Sequence, residues 1–358
     1  MASISSAAKT SAKVKAENMF EANLSGESAL IYHGGDRAAA RRLFPHAPEP
    51  WLDLSTGLNA TPYPFTAPEV TAFARLPEPE SIAALEEVAA QSFGLDPAAK
   101  IVAASGAQAL IQLLPRVIGA KKVAVLGFTY SEHGRAWAAS GAEVTTCESL
   151  DELAGADVAV VVNPNNPDGR LCDADELRAL AHEMGARGKS LIVDEAFVDF
   201  LPLDNSLAPL PPAPGLVVLR SFGKTYGLAG LRLGFAFGEH GLIGVLRAAL
   251  GPWAVNGVAI EIGIEAYQDD GWLEASAARL AEDGARLDAL LRGAGLEILG
   301  ETPLFRLARH DRAREIFLRL CDAGVLTRPF AERPDWLRFG IPTGEADFAR
   351  LADALNQT

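Results

Sequence analysis

The residues with the clearest capacity for chemistry lie in one stretch, Val217-Val-Leu-Arg-Ser-Phe-Gly-Lys-Thr-Tyr-Gly-Leu-Ala-Gly-Leu-Arg-Leu-Gly-Phe235. Ser221, Lys224 and Arg232 fall just beyond an apolar run, Val217 to Leu219, that reads as a buried strand. Ligands of open α/β sheets bind outside the carboxyl ends of such strands. A lysine there can form an imine with an aldehyde cofactor, while a hydroxyl and a guanidinium hold the cofactor's phosphate. A solvated loop lysine and a surface arginine are the plain alternative, since charged residues are common at loop starts. Two other motifs overlap the stretch and fail. Gly223-Lys224-Thr225 ends like a phosphate-binding P-loop, but the glycine required five positions earlier is Val218. Ser221 and Lys224 have the S-x-x-K spacing of penicillin-binding acyltransferases, without the S-D-N and K-T-G partners of that class.

Three further segments fit the same chemistry. Leu191-Ile-Val-Asp-Glu-Ala-Phe197 puts Asp194 at the end of an apolar strand, where a carboxylate is costly to bury without a cationic partner. A pyridinium nitrogen is one such partner and a structural ion pair or helix cap is another. Asn163-Pro-Asn-Asn-Pro-Asp-Gly169 is a turn after a strand, from which Asn166 can donate to a phenolic oxygen. Ala103-Ala-Ser-Gly-Ala-Gln108 leads into a helix continuing to Leu114, and the free N–H groups of a helix start suit a phosphate, with Ser105 as an extra donor. Simple packing explains the small residues equally. Tyr130, in Gly127-Phe-Thr-Tyr, can lie over a ring face or serve as core.

These residues need a scaffold. From about residue 80, helical patterns alternate with short apolar runs, the signature of a parallel sheet with crossover helices. Strands are predicted at Val123 to Leu126, Val158 to Val162, Leu191 to Val193, Val217 to Leu219 and Leu233 to Phe237. Helices are predicted at Ser81 to Phe93, at Leu177 to Met184 behind a cap of Asp173 with Glu176, and at Trp272 to Leu291. Beyond these, the strand Phe305 to Leu307, helix Ala313 to Ala323, strand Trp336 to Ile341 and helix Ala346 to Leu355 suggest a small α+β unit. The 358 residues, 49% hydrophobic and 22% charged, suit one large and one smaller globular unit. A net charge of −14 argues against nucleic-acid or anionic-membrane partners, so any phosphate must be held locally. Cys147, Cys172 and Cys321 form no C-x-x-C pair, so neither disulfides nor a metal site is expected, and a reducing, cytoplasmic setting fits. Met1 to Lys15 lacks arginine and an apolar core and reads as a disordered tail rather than a targeting peptide. No run of about 18 apolar residues predicts a membrane span.

Taken in order, the N-P-N-N-P-x-G, D-E-A-F and S-x-x-K-x-x-G-L-A-G-L-R-x-G segments resemble the fold-type I pyridoxal 5'-phosphate (PLP) enzymes of the aminotransferase class I/II superfamily, across roughly residues 30 to 345. The resemblance implies an α/β large domain with a mostly parallel central sheet and a smaller α+β domain. It implies a disordered tail at 1–20, an N-terminal segment at 21–55 packing with the small domain and active site, a PLP-binding domain at 56–255 and a small domain at 256–358. It assigns Lys224 as the lysine that links to PLP, Asp194 as partner of the pyridine nitrogen, Asn166 as the contact to the ring oxygen and Tyr130 as the stacking ring. Ser221, Arg232 and the Gly106-Ala107 backbone would hold the phosphate.

Within the superfamily the chain is similar to two families, the histidinol-phosphate aminotransferases and the threonine-phosphate decarboxylases of cobalamin biosynthesis. His33-Gly-Gly-Asp36 followed by Leu52-Asp-Leu-Ser-Thr-Gly-Leu-Asn-Ala-Thr-Pro62 looks like the decarboxylase pattern, and Phe197 stands where the aminotransferases usually carry tyrosine. That resemblance implies release of CO₂ from L-threonine O-3-phosphate, giving (R)-1-amino-2-propanol O-2-phosphate, with Arg328, Arg338, His33 and Asn59 at the substrate. A histidinol-phosphate-type aminotransferase and an inert PLP-fold scaffold are the alternatives, and the intact Lys224, Asp194 and Arg232 speak against the scaffold. A homodimer is implied. Arg75-Leu-Pro77 departs from the R-Y-P element that supplies a phosphate contact to the partner subunit in relatives.

Overall fold

The structure, a computed structural model, describes residues 33–356, so the expected tail at 1–20 lies outside the described residues. They divide into two compact units. The larger comprises Leu58–Ala285 and Gly300–Arg306, and the smaller the rest.

Seven strands form the centre of the larger unit: β1 (Lys100–Ala104), β2 (Lys122–Leu126), β3 (Glu143–Cys147), β4 (Val158–Val162), β5 (Ser190–Asp194), β6 (Leu216–Ser221) and β7 (Gly234–Gly238). Their order is β1-β7-β6-β5-β4-β2-β3. Only β7 runs antiparallel to its neighbours, β1 and β6; the other pairs are parallel. Side chains alternate between sheet faces, and here both faces are covered. Val158, Val160, Val217 and Leu219 enter one hydrophobic cluster with Leu110, Ile111 and Leu114 of helix α1 (Ala107–Ile118). Ala159, Val161, Leu216 and Val218 enter the opposite cluster. Double-sided burial explains why β4 and β6 read as unbroken apolar runs. Each large aliphatic side chain so buried contributes roughly 1.5–3 kcal/mol.

The expected domain boundary at 255 is displaced to Ala285. Helix Gly257–Tyr267 buries Ile260, Ile262, Ala266 and Tyr267 in the core of the larger unit. A Cβ on Gly263 would stand 2.8 Å from Leu85 of helix Pro79–Ser92, so the missing side chain permits this close helix packing. The apolar surface of 257–267 therefore belongs to the core of the larger unit rather than to a C-terminal domain.

In the smaller unit, Leu52–Asp53 pairs in parallel with Val325–Leu326. Arg328–Phe330 and Arg333–Gly340 form an antiparallel pair, and helices Ala313–Asp322 and Gly344–Asn356 turn Ile316, Phe317, Leu320, Phe348 and Leu351 inward.

Candidate active site

The carboxyl ends of β1, β2, β4, β5 and β6, with the start of antiparallel β7, lie along one edge of the sheet. The register explains the convergence there, because Gly234 at the start of β7 stands opposite both Ala104 of β1 and Ser221 of β6. One cavity at this edge is lined by Gly106, Ala107, Tyr130, Asn166, Asp194, Ser221, Lys224 and Arg232. All eight cofactor-site residues expected from sequence are thus brought together.

At one end of the cavity the chain builds an anion cradle. Helix α1 starts at Ala107 with Gly106 as its cap and no side-chain hydrogen bond to its first turn. Its leading N–H groups and positive dipole end suit an anion. Gly106 has φ +85°, and a Cβ there would lie 2.6 Å from the Arg232 guanidinium. A Cβ on Gly234 would lie 2.4 Å from the Ala107 nitrogen. Two missing side chains therefore let an arginine and a strand approach the helix start. Arg232 is itself left-handed, with φ 57° and ψ 61°, a conformation that costs a branched-chain-free L residue about 1–3 kcal/mol and persists only where its surroundings enforce it. Ser105, expected as an additional donor, instead donates its hydroxyl to Ala254 O at 2.6 Å. Backbone amides, the Ser221 hydroxyl and the Arg232 fork form a donor set that fits a phosphate.

At the other end sits the buried Asp194. Its Oδ1 accepts from the Ala196 N–H at 3.0 Å, and its Oδ2 lies 2.8 Å from His133 Nε2. Both side chains are almost wholly buried. A carboxylate can only accept, so Nε2 carries the proton in this pair. The carboxylate is held by two donors and faces a cavity able to admit a third. His133 was not singled out from the sequence. It stands three residues after Tyr130 in helix Ser131–Ala139, and a lone helical histidine carries no motif.

Between these ends, Lys224 Nζ lies over the Phe197 ring, 5.3 Å from its centroid. Tyr130 donates its hydroxyl to Gln108 Oε1 at 3.2 Å, and Gln108 Nε2 donates to Glu132 at 3.0 Å, which fixes the tyrosine ring at the cavity wall. Asn166 is presented by a turn locked through Asn165, whose buried side chain donates to Phe128 O and Asp168 and accepts from the Thr129 hydroxyl. The cavity thus offers a lysine amine, a buried carboxylate, an aromatic wall and an anion cradle, a combination that fits PLP.

Asn59 differs from expectation. It is 2% exposed and lies off the cavity wall, because its side chain is engaged elsewhere: Nδ2 donates to Thr225 O at 3.1 Å, and Oδ1 accepts from Arg279 at 2.6 Å. Through Thr225 it braces the Lys224 turn.

The remaining expected substrate residues lie in the smaller unit. Arg328 and Arg338 are partners across an antiparallel strand pair, so they leave the same sheet face. The buried Arg338 donates to Ser55 O at 2.8 Å. A Cβ on Gly34 would lie 2.2 Å from that same oxygen, and Gly35 N–H donates to Ser55 Oγ at 2.7 Å. The backbone beside His33 and the Arg338 guanidinium therefore meet at one carbonyl.

The family model for aminotransferase class I and II matches residues 59–355. A threonine-phosphate decarboxylase from Sinorhizobium sp is 42% identical over 330 residues, covering 92% of this chain and 98% of the relative. A histidinol-phosphate aminotransferase from Cronobacter sakazakii is 32% identical, covering 83% and 88%. The crystal structure of histidinol-phosphate aminotransferase from Sinorhizobium meliloti in complex with pyridoxal-5'-phosphate superposes with a TM-score of 0.75 at 22% identity, covering 90% of this chain and 94% of that one. The chain belongs to the aminotransferase class I and II family.

Proposed function

We propose that the protein is a PLP-dependent lyase that decarboxylates L-threonine O-3-phosphate to (R)-1-amino-2-propanol O-2-phosphate, the linker used in cobalamin biosynthesis. The observation that carries the PLP chemistry is the convergence of Lys224, Asp194, Tyr130, Asn166, Ser221 and Arg232 on one cavity at the sheet's carboxyl edge. The choice of reaction is supported by the nearer likeness to a decarboxylase, at 42% against 32% for an aminotransferase, and by His33-Gly-Gly and Phe197.

Bound PLP supplies an electron sink for a substrate bond broken perpendicular to its ring. Asp194, oriented by His133, keeps a proton on the ring nitrogen by offering it a buried negative partner. Gly106, Ala107, Ser221 and Arg232 hold the phosphate, and Tyr130 supports the ring. Lys224 Nζ would hold the cofactor, and once displaced by the substrate amine it would be placed to deliver a proton to the substrate's Cα. Phe197 has no hydroxyl to donate to the ring oxygen, which leaves Asn166 as the donor there. Reaction choice is a matter of orientation, since the group held upright is the one lost. Arg328 and Arg338 are the proposed anchors for the substrate's two acidic groups, with His33 beside the phosphate. A cytoplasmic homodimer completes the reading.

Alanine at Arg328 or Arg338 should each lower kcat/KM for threonine phosphate at least about tenfold, the effect of losing a charge-assisted contact worth roughly 1.5–3 kcal/mol. Steady-state CO₂ release measures it. Unchanged kcat/KM in both variants would remove the arginines from the substrate site.

A further inference from the structure

The turn that carries Lys224, Phe222–Thr225, is four residues long, below the length at which a helix holds itself. It is gripped from two sides through the residue after the lysine. On one side, Asn59 N–H donates to Lys224 O at 3.0 Å and its amide to Thr225 O. On the other, the Thr225 hydroxyl donates to Asp199, and Asp199 also accepts from Arg220. Arg220 is itself buried, 3.1 Å from Glu195, donating to the Ser206 hydroxyl at 3.0 Å and lying 4.5 Å over the Phe93 ring. Glu195 accepts from Ser206 and from Leu207 N–H. Burial and, to a lesser degree, the charge of Asp199 push the Glu195 carboxyl up, against the opposing pull of Arg220. Sinking two carboxylates and a guanidinium under a four-residue turn costs several kcal/mol per ion before their attraction offsets it, so such a cluster is a poor device for stability alone. The cluster adjoins the cavity wall, with Glu195 between Asp194 and Ala196 and Arg220 beside Ser221, and it reaches the lysine's turn through the Thr225 hydroxyl.

Resting on the assignment of Lys224 above, we infer that Thr225 and Asp199 are positioning residues that aim the Lys224 amine. They touch neither substrate nor cofactor. Their effect is on the condensation of that amine with the PLP aldehyde, in which a C=N bond forms and water leaves.

The test uses the full-length protein freed of PLP and follows the visible band on adding PLP back. Thr225→Val removes the hydroxyl at nearly constant volume. It is expected to slow formation of the Lys224-linked form at least about tenfold, the scale of loss when a reacting group is misplaced, and to lower kcat with KM within about twofold. Thr225→Ser should restore both. Linkage at the wild-type rate in Thr225→Val, whatever its Tm, would overturn the inference. If Thr225→Val does not fold, Asp199→Asn decides in its place: slowed linkage supports the inference and wild-type linkage overturns it. A wild-type protein that forms no borohydride-bleached band would remove the Lys224 assignment itself and the inference with it.

Discussion

Lys224→Ala is expected to abolish measurable turnover and the visible absorbance of the PLP-loaded protein while leaving Tm nearly unchanged. The side chain is half-buried at a cavity wall, so its truncation removes little packing. Its chemical loss is complete, because among the described residues no other lysine lines the cavity to hold the cofactor or return a proton to Cα. Activity assays with borohydride reduction and peptide mapping check it. Retention of more than a few per cent of wild-type turnover, or reduction trapped on another lysine, would show the assignment to be wrong.

Asp194→Asn should lower kcat by about a hundredfold or more, with PLP still bound. A neutral amide cannot favour the protonated pyridine, and an electron sink weakened by several kcal/mol gives a loss on that scale. The fold should tolerate the change, since the Asn carbonyl still accepts from Ala196 N–H and its NH₂ can donate to Nε2 of the other His133 tautomer. Single-turnover kinetics separate this loss from weaker substrate binding. A kcat within a factor of about three of wild type would contradict the proposed role, because each factor of ten corresponds to about 1.4 kcal/mol of transition-state stabilisation.

Much of this site is legible in the sequence because a buried parallel sheet writes itself as apolar runs. The run Val158 to Val162 is the strand β4, and the turn residues after it locate Asn166. What was not legible has physical causes. Strand β1 is short and ends in alanines, so it reads as the lead into α1. Strand β3, Glu-Val-Thr-Thr-Cys at the sheet edge, is largely exposed and has no apolar run. The reversal of β7 leaves no mark on a strand whose residues are apolar in either direction. Helix 257–267 reads as C-terminal because its burial depends on Leu85, far away in sequence. His133 depends on a contact 61 residues away, and the Arg220 cluster on polar contacts up to 26 residues apart, that no local pattern encodes. Asn59 was placed by resemblance near the substrate, but its partners Thr225 and Arg279 lie 166 and 220 residues away.

The reaction itself is tested most directly by giving the PLP-loaded protein L-threonine O-3-phosphate alone and, separately, histidinol phosphate with 2-oxoglutarate, and measuring CO₂ and glutamate. The account predicts CO₂ from threonine phosphate with no keto-acid acceptor required and little from free threonine, because a phosphate dianion in a chain of net charge −14 is held by local cations that free threonine does not engage. Glutamate without CO₂ would contradict it and make the protein an aminotransferase, with the PLP site unchanged.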